Sequence, residues 1–359
     1  MITRFVWPLQ LPPAVKLAAT VLLLAASQYH LWSKLSSGSV FAPEFPRAVV
    51  ILFNWAFGAI VLLAVMQLQL DALTLPAMLV RSAFRVPDGV RYAMAGVAAV
   101  LAAIGVQQAI RVPPLNDIEI AIEGLPSQFD GYTMLQLTDL HISRLFPQTW
   151  ARAVVERSNA LHADIVLITG DLIDGSLAMR RDDVEPLREL RAADGVYAIP
   201  GNHEYFFGYR QWMAHFAAMG MHVIENDHAV IERNGGQLVI AGVTDASAPS
   251  TGHPGPDLAA ALDGKPAGAP VVLLDHQPRN ARNAAASGVA LQLSGHTHGG
   301  MVIGLDRLAA RGNAGYVSGR YGVGAMTLYV NNGTALWPGF ALRLGRPSEL
   351  TRITLRRKV

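Results

Sequence analysis

Apolar positions are unevenly distributed along this 359-residue chain. Three long apolar stretches fill its first third, and short apolar runs that end in polar residues fill the rest. The stretches cover residues 15–32, 48–70 and 90–110, each close to the ~20 residues that a helix needs to cross a bilayer. The middle one is the clearest, with Asn54 as its one strongly polar residue before Gln67. A contact with a neighbouring helix is expected to satisfy that amide. The third is rich in Ala and Gly, which let membrane helices approach closely. The first carries Lys16 near its start and Gln28 and His30 near its end. It also reads as the apolar core of a signal peptide, with Ala25, Ala26 and Ser27 as a cleavage region. Residues 73–84 are apolar enough for an interfacial or short fourth helix. A buried soluble bundle is the competing reading of the whole region, but the three segments offer little polar face to water.

After Arg111-Val-Pro-Pro the pattern changes, because two prolines remove helix donors and disfavour helix before them. Asp117-Ile-Glu-Ile-Ala-Ile-Glu alternates polar and apolar residues, as a half-buried strand does. Five further strands are predicted, each running into polar residues: Tyr132-Thr-Met-Leu-Gln-Leu into Thr138-Asp139, Ile165-Val-Leu-Ile into Thr169-Gly170-Asp171, and Gly195-Val-Tyr-Ala-Ile-Pro into Gly201-Asn202-His203-Glu204. Val271-Val-Leu-Leu runs into Asp275-His276, and Ala290-Leu-Gln-Leu into Ser294-Gly295-His296-Thr297-His298. A helix is expected over 149–161. This is an α/β pattern, and ligands bind beyond the strand ends in such sheets.

Composition and charge sharpen the division. Apolar residues make up 51% and charged residues 16%, against a usual ~25% charged, so a membrane-embedded portion is expected. Residues 1–111 carry eight Lys/Arg and three Asp/Glu. With a net charge of +2 overall, the remainder carries −3. A basic anchor joined to a mildly acidic domain does not suit nucleic acid. The absence of cysteine excludes disulfides, thiolate ligands and a Cys nucleophile. With the N-terminus inside, Arg4, Lys16, Arg81, Arg85 and Arg91 fall on the inner side, and Lys34, Arg47 and Arg111 on the outer. That asymmetry favours an inner-membrane, multi-pass protein whose C-terminal domain faces away from the cytoplasm.

The strand ends carry the candidate chemistry. Asp139-x-His141 and His296-x-His298 place pairs of ligand types at two-residue spacing, and five of the eleven histidines lie in these short motifs. Carboxylate and imidazole together suit Zn, Fe or Mn. His30, His162, His215, His222, His228 and His253 lie outside them and read as surface or capping residues. The blocks LQLTDLHIS, ITGDLIDG, IPGNHEYF, LLDHQP and SGHTHGGM occur in order. Together they resemble the calcineurin-like metallophosphoesterases, in their membrane-associated or exported phosphodiesterase branch, from about Arg111 to the C-terminus. The apolar stretches make a membrane anchor of 1–111, and the resemblance implies, over 112–359, a four-layer α/β/β/α sandwich with two mixed sheets. It also implies two divalent or trivalent metal ions: Asp139, His141 and His298 on the first, Asn202, His276 and His296 on the second, and Asp171 bridging. A hydroxide between the ions would attack phosphorus, while His203 faces the phosphate as general acid.

Residues near these motifs have weaker readings. Asp174 is expected to support the Asp171 loop, and Asp275 reads either as a partner of His276 or, with slight preference, as a solvated acid. Gly299-Gly300 reads as a tight turn beside the metals. Tyr205, Phe206, Phe207, Tyr209 and Trp212 line an apolar pocket or pack a loop, and Arg320 is a candidate phosphate contact. The substrate implied is a phosphate ester, with a lipid-linked or envelope ester attractive. A UDP-2,3-diacylglucosamine pyrophosphatase of lipid A assembly and a broad nucleotide phosphodiesterase are the enzymatic alternatives. A non-catalytic metal-binding membrane scaffold is the alternative of another class, and the oligomeric state is left open. A transporter has few charged intramembrane residues for a path.

Overall fold

The computed structural model describes residues 1–80 and 85–358. The chain divides into two compact units: Met1–Ala109 with Pro338–Leu344, and Ile110–Trp337 with Gly345–Val359.

The first unit is helical. Helix α1 (Pro13–Ser27) starts with proline at its first position, where the missing N–H is not needed. It bends by 52° into α2 (Tyr29–Ser37), at the Gln28 that interrupts the first apolar stretch. Helices α3 (Arg47–Val80) and α4 (Asp88–Ile110) follow. Two helices are long and apolar enough to cross a membrane, or three if the bent pair acts as one span. Residues 73–80 continue α3 rather than starting a separate helix, and the rest of the expected 73–84 segment lies outside the described residues.

Asn54 finds one partner on a neighbouring helix, the Tyr29 hydroxyl of α2 at 3.2 Å, and its closer partners elsewhere. Its Nδ2 donates to the carbonyls of Val50 and Pro338, both at 2.9 Å, and its Oδ1 accepts from the Ala341 N–H at 2.6 Å. Tyr29 donates its hydroxyl to the same Pro338 carbonyl at 2.6 Å. The segment from the far end of the chain thus completes the polar pairing of this unit. Its Leu342 sits against α4 so closely that a Cβ on Gly105 would lie 2.6 Å from Leu342 Cδ1.

The second unit holds two six-stranded mixed sheets. One runs in the order β1 (Leu115–Ile122), β12 (Leu350–Arg357), β2 (Thr133–Leu137), β3 (Ile165–Thr169), β4 (Val196–Ile199), β5 (His222–Val223). The other runs β10 (Gly319–Val323), β11 (Met326–Val330), β9 (Leu291–Ser294), β8 (Val271–Leu274), β7 (Gly236–Gly242), β6 (Asp227–Arg233). Strands β2 to β5 are parallel neighbours in sequence order. Right-handed crossovers therefore put α5 (Gln148–Asn159), α6 (Leu177–Val184), α7 (Asn202–Phe206) and α8 (Tyr209–Ala218) on one face. Strands β7 to β9 do the same with α9 (Leu258–Leu262) and α10 (Ala281–Ala286).

The sheets pack face to face through Met134, Leu167 and Ile199 against Leu238, Ile240, Leu274 and Leu293. Val239, Ala241, Leu273 and Val330 point the other way, onto Ala261 of α9 and Ala281 and Ala284 of α10. The central strands are thus apolar on both faces, which is why they read as continuous apolar runs. This is the four-layer sandwich that the resemblance implies, and the six expected strands and the helix near 149–161 are present in it.

Candidate metal centre

The polar residues gather beyond the C-terminal ends of parallel strands from both sheets. Asp139 and His141 follow β2, Asp171 follows β3, and Asn202 and His203 open α7 after β4. His276 follows β8, and His296 and His298 follow β9. Turning the chain so sharply requires unusual backbone. Asp139, His141, Asp171, His296 and His298 have φ of 52°, 42°, 54°, 68° and 50°, a left-handed region that costs a non-glycine residue ~1–3 kcal/mol. Gly170, before Asp171, has φ of 92°, and a Cβ there would meet the Gly201 backbone nitrogen at 2.6 Å. Gly299 and Gly300, at 63° and 72°, form the tight turn expected of them.

The donor atoms converge. Three overlapping groups each bring one ligand atom per residue within 4.8 Å of the others: Asp139–His141–His298, His141–Asp171–His203, and Asp171–His276–His296. The Nε2 atoms of His141 and His298 face each other at 3.3 Å, and Asp139 Oδ1 is 3.5 Å from His298 Nε2. Asp171 Oδ2 is 3.2 Å from His276 Nε2 and 3.8 Å from His141 Nε2. Asn202 Oδ1 lies 3.2 Å from His276 Nε2 and 2.9 Å from His296 Nδ1. All eight sequence-predicted residues are therefore brought together. None of the six other histidines joins a ligand group among the described residues.

Supporting bonds fix tautomers and loops. The Thr169 carbonyl accepts from His276 Nδ1 at 2.8 Å, which leaves the Nε2 lone pair aimed at Asp171. Asp174 Oδ2 is 3.1 Å from His141 Nδ1, and Asp174 Oδ1 bonds His203 Nδ1. Asp174 thus orients two histidines, and the Asp171 loop is supported by another acid. Glu204 accepts the N–H groups of Asp171 at 3.0 Å, Leu172 at 2.7 Å and Gly201 at 2.7 Å. That role was detectable: Glu204 stands three residues after Gly201 at a helix start, the spacing of a capping box.

The electrostatics follow from burial and proximity. Burial opposes charge on every group here, yet the mutual field overcomes it at His141, Asp171 and Asp139. Burial lowers the His141 imidazole, but Asp174 and Asp139 raise it further, to about 10. Burial pushes Asp171 up, while His276 and His203 hold it well below the usual carboxylate range. Asp139 is likewise held down by His298 and His141 against its burial. His296 goes the other way, to about 4, through burial and the neighbouring His276. Buried carboxylates facing ring nitrogens at this density form a donor set that suits hard or borderline cations, so the residues fit bound metal.

The weaker readings divide. Asp275 is buried rather than solvated, and burial with Asp245 nearby pushes it up to about 7. Arg320 donates to the Glu119 carbonyl of β1. Trp212 is wholly buried and donates to the Gly175 carbonyl at 3.1 Å, so it packs the loop. Tyr205 stacks on Tyr209 at 4.1 Å, whereas exposed Phe206 has its ring 5.4 Å from that of His203. Trp212 and Tyr205 thus pack the loop, and Phe206 stays exposed beside His203.

A profile of the calcineurin-like phosphoesterases matches residues 132–300, the stretch that supplies every one of these donors. The chain carries a calcineurin-like phosphoesterase domain. A transmembrane protein with metallophosphoesterase domain from Danio rerio is 34% identical over 269 residues, 72% of this chain and 61% of its own length. An uncharacterized metallophosphoesterase of Helicobacter pylori is 29% identical over 70% of this chain and 66% of its own. Another from Bacillus subtilis is 29% identical over 65% of this chain and 82% of its own. The chain thus spans about three fifths of the first of these relatives. The phosphoesterase domain contains all the converging residues, and the helical unit precedes it in sequence.

Proposed function

We propose that this protein is a metal-dependent phosphoester hydrolase held in a membrane by its N-terminal helices, with a catalytic centre of two cations. The observation that carries this is the sharing of Asp171 between two ligand groups, one with His141 and His203 and one with His276 and His296. Asp139, His141 and His298 would hold one ion, Asn202, His276 and His296 the other, and Asp171 both. When bound, two such cations polarise phosphoryl oxygens and lower the pKa of water. Mn, Fe and Zn all suit these donors.

The chain's own residues do the rest. His203 falls within ligand reach of Asp171, but its Nδ1 is held by Asp174 while its Nε2 stands 3.9 Å from Asp171 Oδ2, so Nε2 is the atom that would meet a leaving oxygen beside the cations. Burial lowers this imidazole, yet Asp171 and Asp174 raise it above its ordinary value, which keeps a proton available for a leaving oxygen. Phe206 and Phe207, beside the His203 ring, suit an apolar leaving group. Together with the apolar helices, this favours a lipid-linked or envelope phosphate ester. The lysine and arginine distribution favours a catalytic domain on the non-cytoplasmic side of the inner membrane.

Full-length protein reconstituted with metal is expected to hydrolyse bis-p-nitrophenyl phosphate or p-nitrophenyl phosphate, and UDP-diacylglucosamine in a third arm tests the pyrophosphatase reading. Failure on all three with metal bound would leave a non-catalytic scaffold. A cysteine introduced near Ser250 should react with an impermeant maleimide from outside the membrane, and protection there would reverse the orientation.

A further inference from the structure

A second polar cluster lies within the helical unit, and the phosphoesterase chemistry does not use it. The N-terminal turn, the end of the α3 span and the start of α4 enclose a cavity of about 630 Å³ lined by Arg4, Arg85 and Arg91 with Gln10, Thr74, Asp71 and Asp88. That is within the ~300–1,000 Å³ of small-ligand pockets. Both carboxylates already have partners. Asp71 takes a two-point bond from Arg4, at 2.8 and 3.1 Å, and another from Gln67 at 2.8 Å. Asp88 accepts the Gln10 backbone N–H at 2.8 Å.

The arginines are not all paired. Arg91 is only 8% exposed, and its Nη1 donates to the Arg4 carbonyl at 2.6 Å and to Gln67 Oε1 at 3.3 Å. Its Nε has no partner. Arg85, exposed on the cavity wall, makes no hydrogen bond or ion pair with the described residues. Three guanidiniums against two engaged carboxylates leave one positive charge over. Two guanidiniums that line one cavity with donors to spare among the described residues match the oxygens of a phosphoryl group.

We propose that this cavity binds a phosphoryl group, and that its source is the headgroup of an anionic phospholipid. The placement favours the lipid. Asp88 opens one apolar span, and Gln10 and Arg85 stand outside the apolar helices, so the cavity lies where hydrocarbon gives way to headgroups. Basic pockets between membrane helices recognise anionic headgroups at this level. The proposal does not depend on the metal centre.

Native mass spectrometry of the full-length protein, released from nanodiscs of mixed phosphatidylcholine and phosphatidylglycerol, tests it. Phosphatidylglycerol should be retained and phosphatidylcholine should not. Arg85→Gln alters a surface residue with no partner among the described residues and should lower the retained lipid about tenfold, the worth of one charge-assisted hydrogen bond. Arg91→Gln should lower it further. A parallel arm offers inorganic phosphate to protein in phosphatidylcholine alone. Phosphate retained there in an Arg85-dependent way, without phosphatidylglycerol retention, would uphold the phosphoryl site and overturn the lipid source. Retention of neither ligand, or retention that Arg85→Gln leaves unchanged, would overturn the site itself. Phosphate held at the metal centre is unaffected by Arg85→Gln and drops out of the difference.

Discussion

Two buried polar clusters, one in each unit, solve the same problem in opposite ways. Around Asn54 in the helical unit, every donor meets an acceptor: amide to carbonyl, N–H to amide oxygen, hydroxyl to carbonyl. Around Asp171 the partners are too alike. Ring nitrogen faces ring nitrogen at 3.3 Å, and Asn202 Oδ1 meets two imidazoles at once. The first arrangement is complete without any addition. The second concentrates lone pairs and negative charge, which proteins neutralise by shifting pKa values or by binding cations. Complementary pairing indicates structure, and convergent pairing indicates a ligand.

The comparison can be broken most severely at the convergent site. Asp171→Asn should abolish hydrolysis and release metal, by more than the about 10–100-fold loss expected for a supporting partner. Elemental analysis with an activity assay checks it, and retained metal with full turnover would end the assignment. His203→Ala comes next, with turnover down about 10²–10⁴-fold and metal content unchanged. Loss of metal in that variant would make His203 a ligand.

The complementary cluster should respond in stability alone. Asn54→Ala leaves the Pro338 carbonyl and the Ala341 N–H without their amide partner, which should cost about 1–3 kcal/mol. Unfolding in micelles measures this, with hydrolysis per folded molecule unchanged. The smallest effect tests an ordinary surface pairing. Asp164 accepts from Thr133 N–H at 2.8 Å, from its hydroxyl at 2.7 Å and from Arg233 at 2.8 Å. Burial pushes its carboxyl up, but these partners lower it below its usual 3.8. A depressed carboxyl contributes stability above its unfolded pKa and loses it as pH falls through the folded value. Asp164→Asn should therefore cost about 1 kcal/mol at neutral pH, and its unfolding curve should merge with that of the parent protein at acid pH below 3.8.

The convergent site was legible because apolar runs ending in Asp, His or Asn mark strand ends, and its ligand types occur at short fixed spacings. The double sheet was not. Strands such as Val271–Leu274 and Ile165–Thr169 are buried on both faces, so nothing local assigns each to its sheet. The β6–β7 hairpin passed unnoticed although its signal was present. Asn234-Gly235, with φ of 46° and 83°, joins the strands in the backbone region that such tight turns require. The Pro338 partner of Asn54 was illegible for another reason: it lies 284 residues away, and no periodicity reports so distant a pairing.

That distance has a consequence for the order in which the molecule can be made. Chains emerge from the ribosome N-terminus first, and domains generally complete in that order. Here the helical unit begins at Met1 but needs Pro338–Leu344. Its helices must wait, with the Asn54 amide and the space beside Gly105 open, until Pro338–Leu344 have been synthesised. The first unit to start is among the last to finish, so a ribosome stalled before residue 338 would leave a membrane segment that membrane quality-control proteases could distinguish from the finished one.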